Sequence, residues 1–449
     1  MKPLFWSLLL QWSRFGINAF VFLSATRFLS LEEFGAFATA FGAIKLAQGF
    51  HKAGISETVV IKTASPLRLN TLFTFAFVSG FFIAAGYLLL ATFLETDPSF
   101  LLLAIIPVFM GLSATSDGIL RKQLKIRAIA LRTFFSQTVA ASITFIALKL
   151  GAGATALVIF ALLNTVLSGM FSILFAGWLP TKRPSLKHMR LTIKTVLHIA
   201  GRDCLNSGIL PLAQVAIGIC IGFSAAGAFQ IATRIISMLD TLTLAPFRYL
   251  ALPKLAAQKT NPNFGIEIRR SLKLSVNCVS WVWFGLASST PQVLGTMIGT
   301  EHVGQITPIL LGLIPLGLSA VFTMTLTQTV MALGQTKLNL TRAIMTFGLS
   351  LVFSVIVFGT VSTTEMIAIA LSAANFIALI WYLREVSKRH SRSFFYYIDF
   401  VPPICSGLVM FACIYQSDFP LIGQIITGTL IYLVVLTIFH LRLPLWAHT

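Results

Sequence analysis

Residues 69–93 read LNTLFTFAFVSGFFIAAGYLLLATF. The run holds no charged side chain, and as an α-helix it is long enough to cross the ~30 Å hydrocarbon core of a bilayer. Lys62 and Arg68 stand before it; Glu95 and Asp97 stand after it. That arrangement, an apolar span with basic residues at one end and acidic residues at the other, recurs along the chain.

The 449 residues are 56% hydrophobic and 10% charged, with mean hydropathy +0.87, far from the balance of a soluble domain. Apolar stretches predict spans at 4–26, 35–61, 69–93, 100–120, 128–149, 154–178 and 195–222. A second series lies at 225–250, 272–298, 305–333, 340–361, 366–383, 400–415 and 421–440. The expected fold is therefore an all-α polytopic membrane protein of about fourteen transmembrane helices with no sizeable soluble domain. The first span has only Lys2 before it and is as long as a full crossing, so it reads as a retained helix rather than a cleaved signal peptide.

The net charge of +19 would suggest nucleic acid in a soluble protein, but the basic residues are confined to short loops. Loops after the even-numbered spans hold, among others, Arg121, Lys122, Lys125, Arg127, Arg132, Lys182, Arg183, Lys187, Arg384 and Lys388. Loops on the other side hold Arg27 and Lys149 beside Glu32, Glu33, Glu95, Asp97, Glu301, Glu365 and Asp418. The positive-inside rule then places both termini in the cytoplasm. The basic loops read as topology determinants in preference to partner sites. Cys204, Cys220, Cys278, Cys405 and Cys413 all fall inside apolar runs and read as small packing residues.

Two related halves are visible. Phe34-Gly35-Ala36-Phe37 opens the second span, and Ala226-Gly227-Ala228-Phe229, 192 residues later, opens the eighth. At the same offset Gly16-Ile17 falls on Gly208-Ile209, Lys62 on Lys254 and Ala64 on Ala256. The expected organisation is two six-helix lobes, 1–180 and 181–383, followed by an extra helix pair, 384–449.

Ionisable residues inside spans carry the functional argument, because a charge at the bilayer centre costs at least ~2.5–3.5 kcal/mol and must face a cavity or a partner. Gln11, Arg14 and Asn18 share one face of the first span, and Lys45, Gln48 and Lys52 repeat that spacing on the second. Arg234, Thr241 and Arg248 are seven apart on the eighth; Asp203, Asn206, Ser207 and Gln214 form a stripe on the seventh. Arg14, Asn18, Lys45, Gln48, Lys52, Arg234 and Arg248 are expected to line a wet, cationic central cavity. Glu57 and Arg248 lie near a boundary where snorkelling also satisfies them. Asp117 and Arg121 read as an i,i+4 surface ion pair. Asp240 faces away from Arg234, toward another helix; Asp203 and Asp240 are candidates for coupling to a proton or a sodium ion. His51, beside Lys52, reads as a packed or boundary histidine. Pro107, Pro211, Pro246, Pro308 and Pro315 mark either kinks or ordinary membrane-helix prolines.

Guanidinium and ammonium groups bind phosphate and carboxylate strongly where water is scarce, so the cargo chemistry is anionic. There is no Gly-Lys-Ser/Thr phosphate loop, no His-Glu-x-x-His, no Gly-x-Ser-x-Gly and no clustered Cys/His. No cofactor or metal is expected, and an enzyme such as a membrane-embedded glycan polymerase or ligase fits less well than a transporter.

Leu29-Ser30-Leu31-Glu32-Glu33-Phe34-Gly35-Ala36-Phe37, then Lys45-Leu46-Ala47-Gln48-Gly49-Phe50 and Ala53-Gly54-Ile55-Ser56-Glu57, resembles the polysaccharide flippases. These form the lipid-linked oligosaccharide branch of the multidrug/oligosaccharidyl-lipid/polysaccharide (MOP) exporter superfamily. Gly227-Ala228-Phe229-Gln230-Ile231-Ala232-Thr233-Arg234 and Ala332-Leu333-Gly334-Gln335-Thr336-Lys337 resemble the family's eighth helix and the stretch after its tenth. The resemblance implies a V-shaped two-lobed carrier that flips a polyprenyl-diphosphate-linked oligosaccharide for lipopolysaccharide or exopolysaccharide biosynthesis. It also implies ion antiport, membrane lipids as surroundings, and polysaccharide polymerase or assembly proteins as partners. Multidrug or lipid II export by the same superfamily is the alternative. The arginine-rich opening of lipid II flippases is not matched at Ser13-Arg14-Phe15-Gly16.

Overall fold

The computed structural model describes residues 2–61, 65–93, 97–181, 184–257, 264–333, 335–360, 363–389, 401–415, 417 and 419–442. Among these the secondary structure is helical throughout. In order, the helices are α1 (Lys2–Phe28), α2 (Leu31–Gly49), α3 (Glu57–Ile61), α4 (Pro66–Phe93), α5 (Pro98–Leu101) and α6 (Ile105–Lys122). Then come α7 (Ile126–Lys149), α8 (Thr155–Ala176), α9 (Leu186–Ser207), α10 (Ile209–Cys220), α11 (Phe223–Ala257) and α12 (Phe264–Ser288). The last are α13 (Thr290–Ile298), α14 (Val303–Ala332), α15 (Thr336–Thr360), α16 (Thr364–Arg389), α17 (Val401–Ile414) and α18 (Leu421–Arg442). Eight described helices are long and apolar enough to cross a membrane, or nine if the bent pair α9–α10 is one span. The others occupy expected span positions but are short or carry charged stripes, so fourteen crossings is a reading of the sequence.

Four predicted spans are not single α-helices. The second is interrupted by a π-helical segment, Phe50–Ser56, between α2 and α3. The fourth begins with α5 and a 3₁₀ turn, Leu102–Ala104, before α6. The seventh is bent by 63° between Thr195–Leu205 and Ile209–Cys220, and the ninth breaks between Ser288 and Thr290. Proline explains three of these. Pro107, Pro211 and Pro291 each sit in the first turn of a new segment, where a missing N–H costs no hydrogen bond. Pro308 and Pro315, by contrast, lie inside the unbroken α14.

The chain packs as two compact units, Met1–Gln230 and Ile231–Thr449. In the first, α4 and α8 flank α6, α1 packs on α7, and α9 and α10 pack on the π segment and α2. One apolar core joins Ile55, Val59, Leu72, Ala76, Ala114 and Val196. In the second, α16 packs between α14 and α15, and α12 joins α14 to the α17–α18 hairpin. Phe284, Met410, Ile414 and Tyr432 form a core there, with the Tyr432 hydroxyl donating to the Asn277 carbonyl at 2.9 Å.

The repeat reappears inside the first unit. Helices α1 and α10 end at Phe28 and Cys220, and α2 and α11 begin at Leu31 and Phe223; each pair is 192 residues apart. The two equivalent helix starts also touch reciprocally. A Cβ on Gly35 would overlap the Phe223 carbonyl oxygen and stand 2.6 Å from the Gly227 nitrogen. A Cβ on Gly227 would overlap the Leu31 carbonyl oxygen and stand 3.2 Å from the Gly35 nitrogen. Phe223 is the repeat equivalent of Leu31, so the contact is self-complementary, as across a two-fold axis. Lipid tails are as apolar as leucine, so close backbone approach through small residues, rather than water exclusion, holds such helices together.

Replacing Gly35 or Gly227 by Ala forces the two backbones apart and should destabilise the protein by about 1–3 kcal/mol. Gly86, around which nothing lies within 4 Å, is the control whose replacement by Ala is tolerated. Thermal unfolding of the three purified variants in detergent checks this; equal midpoints for all three would contradict the crossing.

Candidate functional site

On α1, Arg14 and Asn18 are both half-buried, and the Asn18 side-chain amide donates to the Arg14 carbonyl at 2.7 Å. Asn18 is thereby turned back on its own helix, four residues away, in the manner common to polar side chains in apolar surroundings. Trp12, on another face, is 72% exposed. At the start of α1, Trp6 receives the Arg127 guanidinium 5.3 Å from its ring centroid, which ties α1 to the first turn of α7.

On α2, Lys45 is half-buried with its ammonium 5.5 Å from the Phe41 ring centroid, one turn back on the same face. Gln48 is half-buried close by. The α-helical pitch that predicts a stripe from Lys45 through Gln48 to Lys52 ends at Gly49, where the π segment begins. A π turn takes in an extra residue and rotates the helix beyond it; such turns gather at functional positions. The side chains of Lys52, Arg202, Asn206 and Arg248 lie outside the described residues.

Helix α9 brings Asp203 onto this turn. A Cβ on Gly49 would stand 3.3 Å from Asp203 Oδ2 and 3.4 Å from Cys204 Sγ, and one on Gly54 3.0 Å from the Ala200 Cβ. The half-buried Asp203 carboxylate therefore rests against the junction of α2 and the π segment, one turn beyond Lys45. Gln214 does not belong to the Asp203 stripe. The bend at Gly208 turns it inward, where it is buried and donates to the Ala226 carbonyl at 2.8 Å, tying α10 to the first turn of α11. His51 is buried, with Nε2 3.2 Å from the Ala76 carbonyl and 3.2 Å from Ser79 Oγ, a packed histidine as its surroundings in the sequence suggest.

Arg234 and Asp240 are half-buried on α11 in the second unit. Next to them Ser237 donates to the Arg234 carbonyl at 2.9 Å, and Thr241 donates to the Ser237 carbonyl at 2.8 Å.

One expected pair is replaced by another. Asp117 does not pair with Arg121; it forms an ion pair with Arg132 of α7, and the Ser172 hydroxyl of α8 stands 2.6 Å from Asp117 Oδ1 while accepting from Arg132. The Arg132 side chain is 7% exposed and that of Asp117 23%, so this is an interior triad linking α6, α7 and α8. The tight α6–α7 turn explains it. Leu124, at φ 51°, sits at the tip, with Asp117 seven residues before it and Arg132 eight after it, level with each other on antiparallel helices.

The family described as "Polysaccharide biosynthesis protein" matches residues 25–307. Among curated proteins, the succinoglycan biosynthesis transport protein ExoT of Rhizobium meliloti (strain 1021) is 24% identical over 258 residues. That match covers 55% of this chain and 52% of ExoT, so the chain spans about half the length of this relative. Among solved structures, a lipid II flippase MurJ in an inward closed conformation aligns with TM-score 0.81 and 18% identity over 98% of this chain and 99% of that one. An inward-facing MATE-family multidrug transporter of the MOP superfamily aligns with TM-score 0.59 and 15% identity over 90% and 96%. Both likenesses, at these identities, are of fold alone.

Replacing Asp117 by Ala strands an interior guanidinium and should cost about 3–5 kcal/mol, whereas replacing Arg121 by Ala should change stability by less than ~0.5 kcal/mol. Thermal unfolding separates the two assignments: the reverse order would restore the Asp117–Arg121 pair.

Proposed function

Because this chain belongs to the polysaccharide biosynthesis protein family, we propose that it is a flippase for a polyprenyl-diphosphate-linked oligosaccharide. In this reading it moves the lipid-linked sugar from the cytoplasmic to the outer leaflet of a bacterial inner membrane by alternating access. The product feeds cell-surface polysaccharide biosynthesis, with polymerase and assembly proteins as later partners. The observation that carries the proposal is charge: half-buried cations on three apolar helices, Arg14 on α1, Lys45 on α2 and Arg234 on α11. They suit a diphosphate head group better than a neutral or cationic drug. The likeness to a succinoglycan transport protein supports the same cargo class.

The mechanism rests on two lobes, 1–180 and 181–383, with the 384–449 helix pair beside them. The diphosphate and sugars enter a cationic chamber lined by Arg14, Asn18, Lys45, Gln48, Lys52, Arg234 and Arg248, while the polyprenyl tail stays in lipid. Rocking of the lobes re-exposes the head group on the other side, and its affinity for one state over the other sets the direction. Both termini lie in the cytoplasm. A proton or sodium ion resets the cycle at Asp203 or Asp240. Asp203 is the stronger candidate, because it rests on the π junction next to Lys45. The chain carries cargo and does not transform it, so the reading is of a transporter and not an enzyme. A lipid II cargo is the second reading, suggested by the cargo named for the flippase whose fold aligns over nearly the whole chain.

Replacing Arg14, Lys45 or Arg234 by Ala should remove a charge-assisted phosphate contact worth about 1.5–3 kcal/mol and abolish surface glycan export at unchanged protein level. Lys45→Arg should retain export. Normal export by all three alanine variants would overturn the assignment.

A further inference from the structure

Where α2, α4 and α10 meet, at the end of the first unit that carries Asp97, the structure holds a cavity of about 420 Å³. That falls within the roughly 300–1,000 Å³ of small-molecule sites. Its depth exists because the helices are lined there with the smallest side chains: Ala40 and Ala43 on α2, Gly218 on α10. Its mouth is formed by Leu90, Ile219 and Phe223, which are 38%, 50% and 38% exposed. Three apolar side chains at the mouth suit the entry of a hydrocarbon chain. The two hydroxyls in the wall are already engaged: Thr39 donates to the Gly35 carbonyl at 2.9 Å, and Tyr87 to the Phe100 carbonyl at 3.0 Å. The wall thus offers a guest apolar contact and little else, and an apolar cavity of this kind takes an apolar guest.

One charge stands at the rim. Asp97 is exposed, and its Oδ1 accepts the Ser99 N–H at 2.8 Å; its other oxygen has no partner among the described residues. A guest that fills the cavity and satisfies the rim joins a hydrocarbon chain to a cationic head. A polyprenyl diphosphate would set its own negative charge against Asp97. We propose that this cavity binds one acyl chain of an ethanolamine phospholipid, with the lipid ammonium at Asp97. The seated chain lies between α2 and α10 beside the Gly35–Gly227 crossing and braces their contact. The site is independent of the cargo.

The test uses the full-length protein in phosphatidylglycerol vesicles doped with a phosphatidylethanolamine that carries a photoreactive diazirine on its acyl chain. Labelling should map to the α2 and α10 walls, near Ala40, Ala43 and Ile219. Ala40→Phe, which fills the cavity, should lower wall labelling about tenfold and leave labelling elsewhere unchanged. Leu90→Trp, at the mouth, gives the same readout if Ala40→Phe does not insert. Asp97→Asn keeps the cap on Ser99 and should abolish the preference for the ethanolamine probe over a phosphatidylglycerol probe. Undiminished wall labelling in the filled variants, or equal labelling by both probes in the parent protein, would overturn the proposal. Displacement by an equal amount of polyprenyl phosphate would also overturn it, assigning the cavity to the cargo's tail.

Discussion

Hydrocarbon offers no hydrogen bonds, and most of the structure is an answer to that fact. A polar group inside a span must find its partner within the protein. Among the described residues many serine and threonine hydroxyls donate to carbonyls three or four residues back, as Thr39, Thr144 and Thr165 do. Longer side chains bridge helices instead: Gln214 to Ala226, Tyr87 to Phe100, Tyr432 to Asn277. The strongest case is Asp117–Arg132–Ser172, where two opposite charges and a hydroxyl close on one another across three helices. Charges settled in this way serve architecture. Arg14, Lys45 and Arg234, half-buried on largely apolar helices, are the charges on which the proposed function rests.

The same solvent removes the usual force between helices. Packing then depends on how closely backbones approach, and the two glycines of the repeated Gly-Ala-Phe stretches supply that approach. Gly35 and Gly227 meet at equivalent positions of the 192-residue offset, so the sequence echo and the self-complementary contact coincide. The ethanolamine-lipid cavity lies beside this crossing because the residues flanking the glycines are alanines and glycines too. Closeness at one point leaves space at the next.

Hydropathy alone made the helical class and the span positions legible, because a crossing of the bilayer constrains length and composition together. The repeat offset is legible as well, and the ends of α1 and α10 and the starts of α2 and α11 obey it. Breaks are legible only in part, because proline alone does not separate a break from an ordinary membrane-helix position: Pro211 and Pro291 each follow a break, whereas Pro308 and Pro315 lie inside one helix. The π segment left no signal, since no residue type is specific to it. Helical spacing alone points Asp117 to Arg121. Symmetry about the Leu124 turn, which the sequence also holds, would have pointed to Arg132. For the candidate site, the sequence reveals which helices carry cations; what each side chain rests against, as Asp203 rests on Gly49, is set by packing between distant segments.

In the proposed function, recognition of the cargo by its diphosphate is the property on which transport depends. The most direct measurement is transbilayer movement of a fluorescent polyprenyl-linked oligosaccharide in vesicles containing the purified protein, with quenching from outside as the readout. Protein-dependent flipping of the diphosphate-linked sugar is expected, and none of the same sugar joined to the same polyprenol through a neutral linkage. Equal movement of the two, or no movement of the diphosphate-linked sugar, would contradict recognition through the diphosphate.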